Sequence, residues 1–294
     1  MNNSATDYRR TLIALSKVLD KKLFFIVGLT RPGTAWLQHA INAHPDACCK
    51  GEGHFTNALF PLLGKAFAQY NQHMLDDQAR METAGIGAAS LAPPAAYSND
   101  EVRFLMATAA AVTMNRWAGA EDVACIGEKT PEHALNLAGL TEVFPDAYIV
   151  HVIRDGRDEA VSVYDYNIRV NADGFGKRFP DFATFAEFFA GNWNKAVGAA
   201  RYFGRSHGDK NGDKYMEIRS EDLHSEASGD LERLCRFLDL DDSSDVVAHL
   251  LEAGRKVALA DGIINQWQDR FDEETKTAFN RQAGELLKLL DYIS

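Results

Sequence analysis

Residues able to hold an anion come together in one stretch, Leu23-Phe24-Phe25-Ile26-Val27-Gly28-Leu29-Thr30-Arg31-Pro32-Gly33-Thr34-Ala35-Trp36-Leu37. An unbroken apolar run of strand length stops at Gly28, and a short loop follows with a cation, Arg31, and a second glycine, Gly33. An apolar-periodic segment carrying Trp36, Leu37, Ala40 and Ile41 begins at once, so the pattern reads strand, loop, helix. Such a unit aims backbone N–H groups and the positive end of a helix dipole at the carboxyl end of a buried strand, where a phosphate is stabilised. Gly28 and Gly33 have the spacing of the nucleoside-triphosphate loop G-x-x-x-x-G-K-[ST]. Thr34 stands at the lysine position of that pattern, however, and Ala35 at the position of the hydroxyl that holds Mg²⁺. The loop is a phosphate cradle without its metal ligand, and its cation comes earlier, at Arg31.

A donor whose transferred group carries less charge than a γ-phosphate, and that needs no metal, suits this loop, and sulfuryl transfer meets the description. Thr30-Arg31-Pro32-Gly33-Thr34-Ala35-Trp36 resembles the 5′-phosphosulfate loop P-[KR]-[ST]-G-T-[ST]-[WL] of sulfotransferases that use 3′-phosphoadenosine 5′-phosphosulfate (PAPS). A second element resembles the same family. The buried-strand run Ala147 to Ile153 leads into Arg154-Asp155-Gly156-Arg157-Asp158, with Ser162 eight residues beyond Arg154, as in the family's 3′-phosphate motif. An arginine fork and a hydroxyl on the first helical turns can bind one phosphate together.

The resemblance implies roles for further residues. Gly51-Glu52-Gly53-His54-Phe55, after the turn His44-Pro45-Asp46, is similar to the stretch that carries the catalytic base in the tyrosylprotein and heparan branches, which with bacterial members are nearest in motif pattern. Glu52 is then the base, and His54 a second base or an orienting group. Val123 to Gly127 reads as a short buried strand running into Glu128-Lys129-Thr130-Pro131, similar to the family's K-[ST]-P strand end. Its lysine, Lys129, would stabilise charge on the leaving phosphate oxygen. Arg31, Pro32, Gly33, Thr34 and Ala35 would hold the 5′-phosphosulfate and Trp36 would stack on the purine. Ser220, after the strand Lys214 to Arg219, stands where the family has an adenine-contacting tyrosine, and Arg255 and Lys256 would add cations at the 3′-phosphate. The likeness covers most of residues 22–292.

Composition sets the class of partner. A chain of 294 residues, 46% of them hydrophobic, can bury a large core, and we read residues 1–294 as one domain. A net charge of −11 argues against nucleic acid and against polyanionic acceptors, and favours a small neutral or cationic one. The N-terminus lacks a basic, apolar leader and the apolar runs are too short for a membrane span, which reads as a cytoplasmic protein. Four cysteines, Cys48, Cys49, Cys125 and Cys235, and nine histidines show no metal-ligand spacing, so no metal is expected and the thiols read as packing.

The elements that must position these residues follow from periodicity. The expected fold is α/β, a three-layer and mostly parallel sheet flanked by helices, similar to nucleotide kinases. Residues 7–19, 59–81, 101–117 and 181–203 read as helices, and residues 56–100 as a helical cap on the acceptor side. The function this implies is transfer of the PAPS sulfuryl group to a hydroxyl or amine, leaving the product PAP. The alternatives are a PAP-binding protein without turnover and a P-loop kinase; the sequence leaves the oligomeric state open.

Overall fold

The computed structural model describes residues 3–30, 33–85, 95–119, 122–206, 214–224, 228–257 and 264–293. Among them five strands form one parallel sheet: β1 (Lys22–Val27), β2 (Ala47–Cys49), β3 (Cys125–Lys129), β4 (Tyr148–Ile153) and β5 (Tyr215–Arg219), in the order β2-β3-β1-β4-β5. Helices cover both faces, which is why the strands are apolar runs rather than alternating ones. In β1, Leu23, Phe25 and Val27 face one core layer while Phe24 and Ile26 face the other. All five side chains are buried, each contributing about 1.5–3 kcal/mol by the usual transfer values. The expected three-layer α/β fold is the one observed.

The first layer holds α1 (Asn3–Leu19), α4 (Asn99–Ala118) and α5 (Leu137–Val143) against one face. The second holds α2 (Thr34–Ile41), α9 (Ser228–Phe237) and α10 (Ser244–Lys256) against the other. A third cluster joins α6 (Gly156–Arg178), α7 (Phe182–Ser206) and α12 (Glu273–Leu289) around the buried Trp193. The remaining α-helices among the described residues are α3 (Phe60–Thr83), α8 (Ser220–His224) and α11 (Trp267–Arg270). Of the segment read as a cap, α3 buries only Phe60 among its own residues. Helix α4 starts at a full capping box between Ser98 and Glu101.

Two details differ from the sequence expectation. Ala47–Cys49 forms an edge strand, too short for any periodicity to reveal, and β3 runs on to Lys129 instead of ending at Gly127. Because β2 is a strand, the vicinal Cys48 and Cys49 enter opposite core layers. Burial pushes the Cys49 thiol well up, and those of Cys125 and Cys235 to about 11.

The topology matters for the site. Strand β1 lies between β3 and β4, so the chain departs to both sides of it and the loops after these three strands gather at their carboxyl ends, the switch point where such sheets bind ligands.

Candidate active site

Each strand of the sheet delivers a candidate residue at its carboxyl end. In spatial order these are Glu52 after β2, Lys129 at the end of β3, the Gly28–Gly33 loop after β1, Arg154 after β4 and Ser220 after β5.

The loop after β1 is tied to the neighbouring turn by the Gly28 amide, which donates to the Pro131 carbonyl at 3.0 Å. Arg31 and Pro32 lie outside the described residues. Gly33 precedes α2 at φ 98°, a left-handed conformation that favours glycine. A Cβ there would also stand 2.8 Å from the Ser220 hydroxyl oxygen, so the buried Ser220 packs against the loop itself. The N-cap Gly33 offers no side-chain cap to α2, the Trp36 amide turns back to the Gly33 carbonyl at 3.1 Å, and Ala35 on the first turn is exposed. Thr34 is buried at the first helical position. Trp36 is only 2% exposed, packed in the core against α10, where a Cβ on Gly254 would reach its ring at 2.5 Å. Stacking of Trp36 on a purine would require that packing to open.

At the other edge, Glu52 and Lys129 form an ion pair between Nζ and Oε1. The lysine side chain is 8% exposed and the glutamate 43%, so the pair sits at a mouth, with the cation inside and the carboxylate outside. His54 Nε2 is 3.7 Å from Glu52 Oε2, and Asn57 Nδ2 lies 3.2 Å from His54 Nδ1. With Asn57 as donor, the imidazole proton is on Nε2, facing the carboxylate. His54 adopts φ 48°, left-handed and unusual for a side chain of its size, a strain of about 1–2 kcal/mol that its surroundings must hold.

The third element is the β4–α6 junction. Arg154 and Ser162 are both buried there, and the Arg154 carbonyl accepts from the Trp193 indole N–H at 3.2 Å. The rest of this charged run is structural. Asp155 caps α6 by accepting from the Arg157 amide at 2.9 Å and takes a two-pronged bond from its guanidinium, at 3.0 and 2.6 Å. That guanidinium lies 3.8 Å from the centre of the Trp267 ring. Asp158 accepts from the Asn265 and Trp267 amides at 2.8 and 3.0 Å, which pins the segment before α11 to α6. Burial pushes the Glu159 carboxyl well above its ordinary range, against the pull of Arg154. Arg255 and Lys256 are exposed on the last turn of α10, where Lys256 pairs with Glu252 at 3.2 Å.

Sequence reasoning passed over Glu128, Thr130, His133 and Thr56. All four are buried, and they join beneath the Glu52–Lys129 pair. A carboxylate next to a candidate lysine has no local signal of burial, since alternation alone would equally send it to solvent.

No group of three His, Cys, Asp or Glu side chains among the described residues is placed to hold a metal ion. No described helix is long and apolar enough to cross a membrane.

The fold is a parallel α/β sheet that gathers a glycine loop, a buried arginine and a lysine–carboxylate pair at its strand ends, an arrangement suited to group transfer. The chain belongs to the sulfotransferase family, which it matches over residues 24–244, and is a transferase. Solved structures share its fold. Sulfotransferase STF9 from Mycobacterium avium superposes with a TM-score of 0.55 at 12% identity, covering 93% of this chain and 79% of that one. Mouse sulfotransferase SULT7A1, complexed with PAP, gives 0.54 at 14%, covering 93% and 89%. Sulfotransferase STF1 from Mycobacterium tuberculosis gives 0.53 at 16%, covering 95% and 80%. No curated protein matches the sequence.

Proposed function

We propose that this chain moves the sulfuryl group of PAPS to a hydroxyl or amine of a small neutral or cationic acceptor, in the cytoplasm and without a metal. The observation that carries the reading is the convergence of the β1 loop, Lys129 and Arg154 at adjacent strand ends, with Glu52 paired to Lys129. The uncapped start of α2, with Gly33, Thr34 and Ala35, receives the 5′-phosphosulfate together with Arg31 and Pro32. Arg154 and Ser162 take the 3′-phosphate; a mouse protein of the same fold was solved with PAP. Ser220, packed against the loop, contacts the adenine, Trp36 stacks on it only if its packing against α10 opens, and Arg255 and Lys256 add positive charge.

The chemistry divides between the two members of the ion pair. Lys129 exchanges Glu52 for the oxygen bridging phosphorus and sulfur, and stabilises the charge that collects there as the S–O bond to phosphate breaks. Glu52, released, takes the acceptor's proton as the new bond from the acceptor oxygen or nitrogen to sulfur forms. PAP leaves with the electron pair of the broken bond. His54 orients Glu52 through Nε2.

Glu52→Gln keeps the shape and removes the base, so turnover should fall by about 10²–10⁴-fold while PAP affinity holds or improves slightly. His54→Ala should cost less. Labelled PAPS with a cell extract, followed by mass spectrometry for the added sulfate, identifies the acceptor and supplies the assay. A glutamine variant of normal speed beside an inactive His54 variant would move the base to the histidine. Tight PAP binding with no PAPS turnover under any condition would leave a binding protein.

A further inference from the structure

Three consecutive residues of β3 and its end hold three consecutive residues of the loop after β2. Lys129 Nζ bonds the Glu52 carboxylate, Glu128 Oε1 accepts from the Gly53 amide at 2.6 Å, and Thr130 Oγ1 accepts from the His54 amide at 3.2 Å. Thr130 in turn donates to the same Glu128 oxygen, so both backbone contacts converge on one carboxylate. That carboxylate is wholly buried. Its other oxygen stands 3.2 Å from Nε2 of the equally buried His133, a contact not aligned as a hydrogen bond. His133 Nδ1 lies 2.7 Å from the Thr56 hydroxyl, and the Phe55 ring stacks on the imidazole at 6.1 Å and 17°. A buried carboxylate is costly to keep, and among the described residues this one accepts no hydrogen bond from Lys129 or Arg154. What it holds is the backbone directly after Glu52, at the point where His54 is kept left-handed.

We propose that Glu128 is a positioning residue for sulfuryl transfer. By fixing the Gly53 amide, and the His54 amide through Thr130, it sets where the Glu52 carboxylate stands relative to Lys129, while His133 and Thr56 hold Glu128. The proposal rests on Glu52 as the base. A displacement of this loop by a fraction of an ångström changes the angle at which Glu52 meets the acceptor but leaves the β1 loop and Arg154 untouched. Loss of Glu128 therefore acts on turnover and not on PAP binding.

The test compares Glu128→Gln, Glu52→Gln and the double variant. Turnover is read as PAP formed from labelled PAPS with p-nitrophenol or water as acceptor, PAP affinity by calorimetry, and loop order by amide exchange over residues 50–56. Glu128→Gln should lower turnover by about tenfold or more, speed exchange at Gly53, and leave the PAP dissociation constant within about twofold. In the Glu52→Gln background the same change should cost less than about twofold further, because both act through one group. Equal losses in the two backgrounds, a parallel loss of PAP affinity, or an unchanged rate would overturn the proposal. A Glu52→Gln variant of wild-type speed would overturn the base reading itself, and the proposal with it. Should Glu128→Gln fail to fold, Thr130→Val, which removes the acceptor of the His54 amide, is put through the same comparison.

Discussion

At the scale of single residues, the binding and the chemical groups can be separated by what each touches. Arg154, at the end of β4, and Arg157, three residues on, are both buried, and Arg157 is held by Asp155 and Trp267. Charge-assisted hydrogen bonds contribute roughly 1.5–3 kcal/mol each, so Arg154→Ala should weaken PAP binding by about tenfold to a few hundredfold. Binding of adenosine 5′-phosphosulfate, which lacks the 3′-phosphate, should hardly change. Calorimetry on both ligands checks this, and equal losses would remove Arg154 from the 3′-phosphate. Arg154 was legible in the sequence because strand, arginine and helix are contiguous. Glu128 was not, because its meaning lies in a loop 75 positions away.

At the scale of elements, the β1 loop and α2 depend on one backbone conformation. Gly33 combines φ 98° with the Ser220 oxygen at 2.8 Å from where a Cβ would stand. Gly33→Ala must both strain the backbone and turn the Ser220 hydroxyl out of its place, so the loop should distort and PAP affinity fall by about tenfold, on a strain of roughly 1–2 kcal/mol plus the contact. Ser220→Gly in the same chain relieves the clash but not the strain, and should recover part of the affinity, measured by the same titration. An alanine variant that binds PAP as tightly as wild type would show that the anion does not rest on this loop. The strand–loop–helix units around β1 and β4 could be read from periodicity, since each is a local pattern of apolar spacing. The short β2 could not, because its three residues are a strand only by pairing with β3.

At the scale of the molecule, a polar chain crosses from the sheet to α7. The His151 imidazole Nδ1 donates to the Tyr215 hydroxyl at 2.7 Å, which donates to Glu217 at 3.1 Å, and Arg201 closes the chain on Glu217 at 3.0 Å. Burial, then the nearby Arg201, lowers the His151 pKa to about 3. The folded state thus binds fewer protons than the unfolded one between about pH 3 and 6.5. The neutral imidazole contributes its full stability above pH 6.5, and that contribution is lost on acidification toward pH 3, at up to about 1.4 kcal/mol per pH unit. The stability difference between wild type and His151→Gln, measured by urea unfolding, should shrink steadily from pH 6.5 to 4. A pH-independent difference would mean that His151 takes up its proton at the same pH in the folded protein as in the unfolded chain.

The sequence by itself determined what is local in this protein. The apolar runs specified buried strands, and with the motifs in the residues after them they identified the family and the α/β fold. Tertiary structure decided which of the side chains near the strand ends are committed to holding the fold. It packed Trp36 into the core, committed Asp155, Arg157 and Asp158 to holding α6 and the segment before α11, and buried Glu128. It also joined Lys129 to Glu52 across 77 positions of chain. The physical reason is that a strand's periodicity records only which faces are apolar, while strand order is settled by the packing of whole layers. Placing β3 between β2 and β1 brings the glutamate loop and the lysine together at the carboxyl ends of the strands.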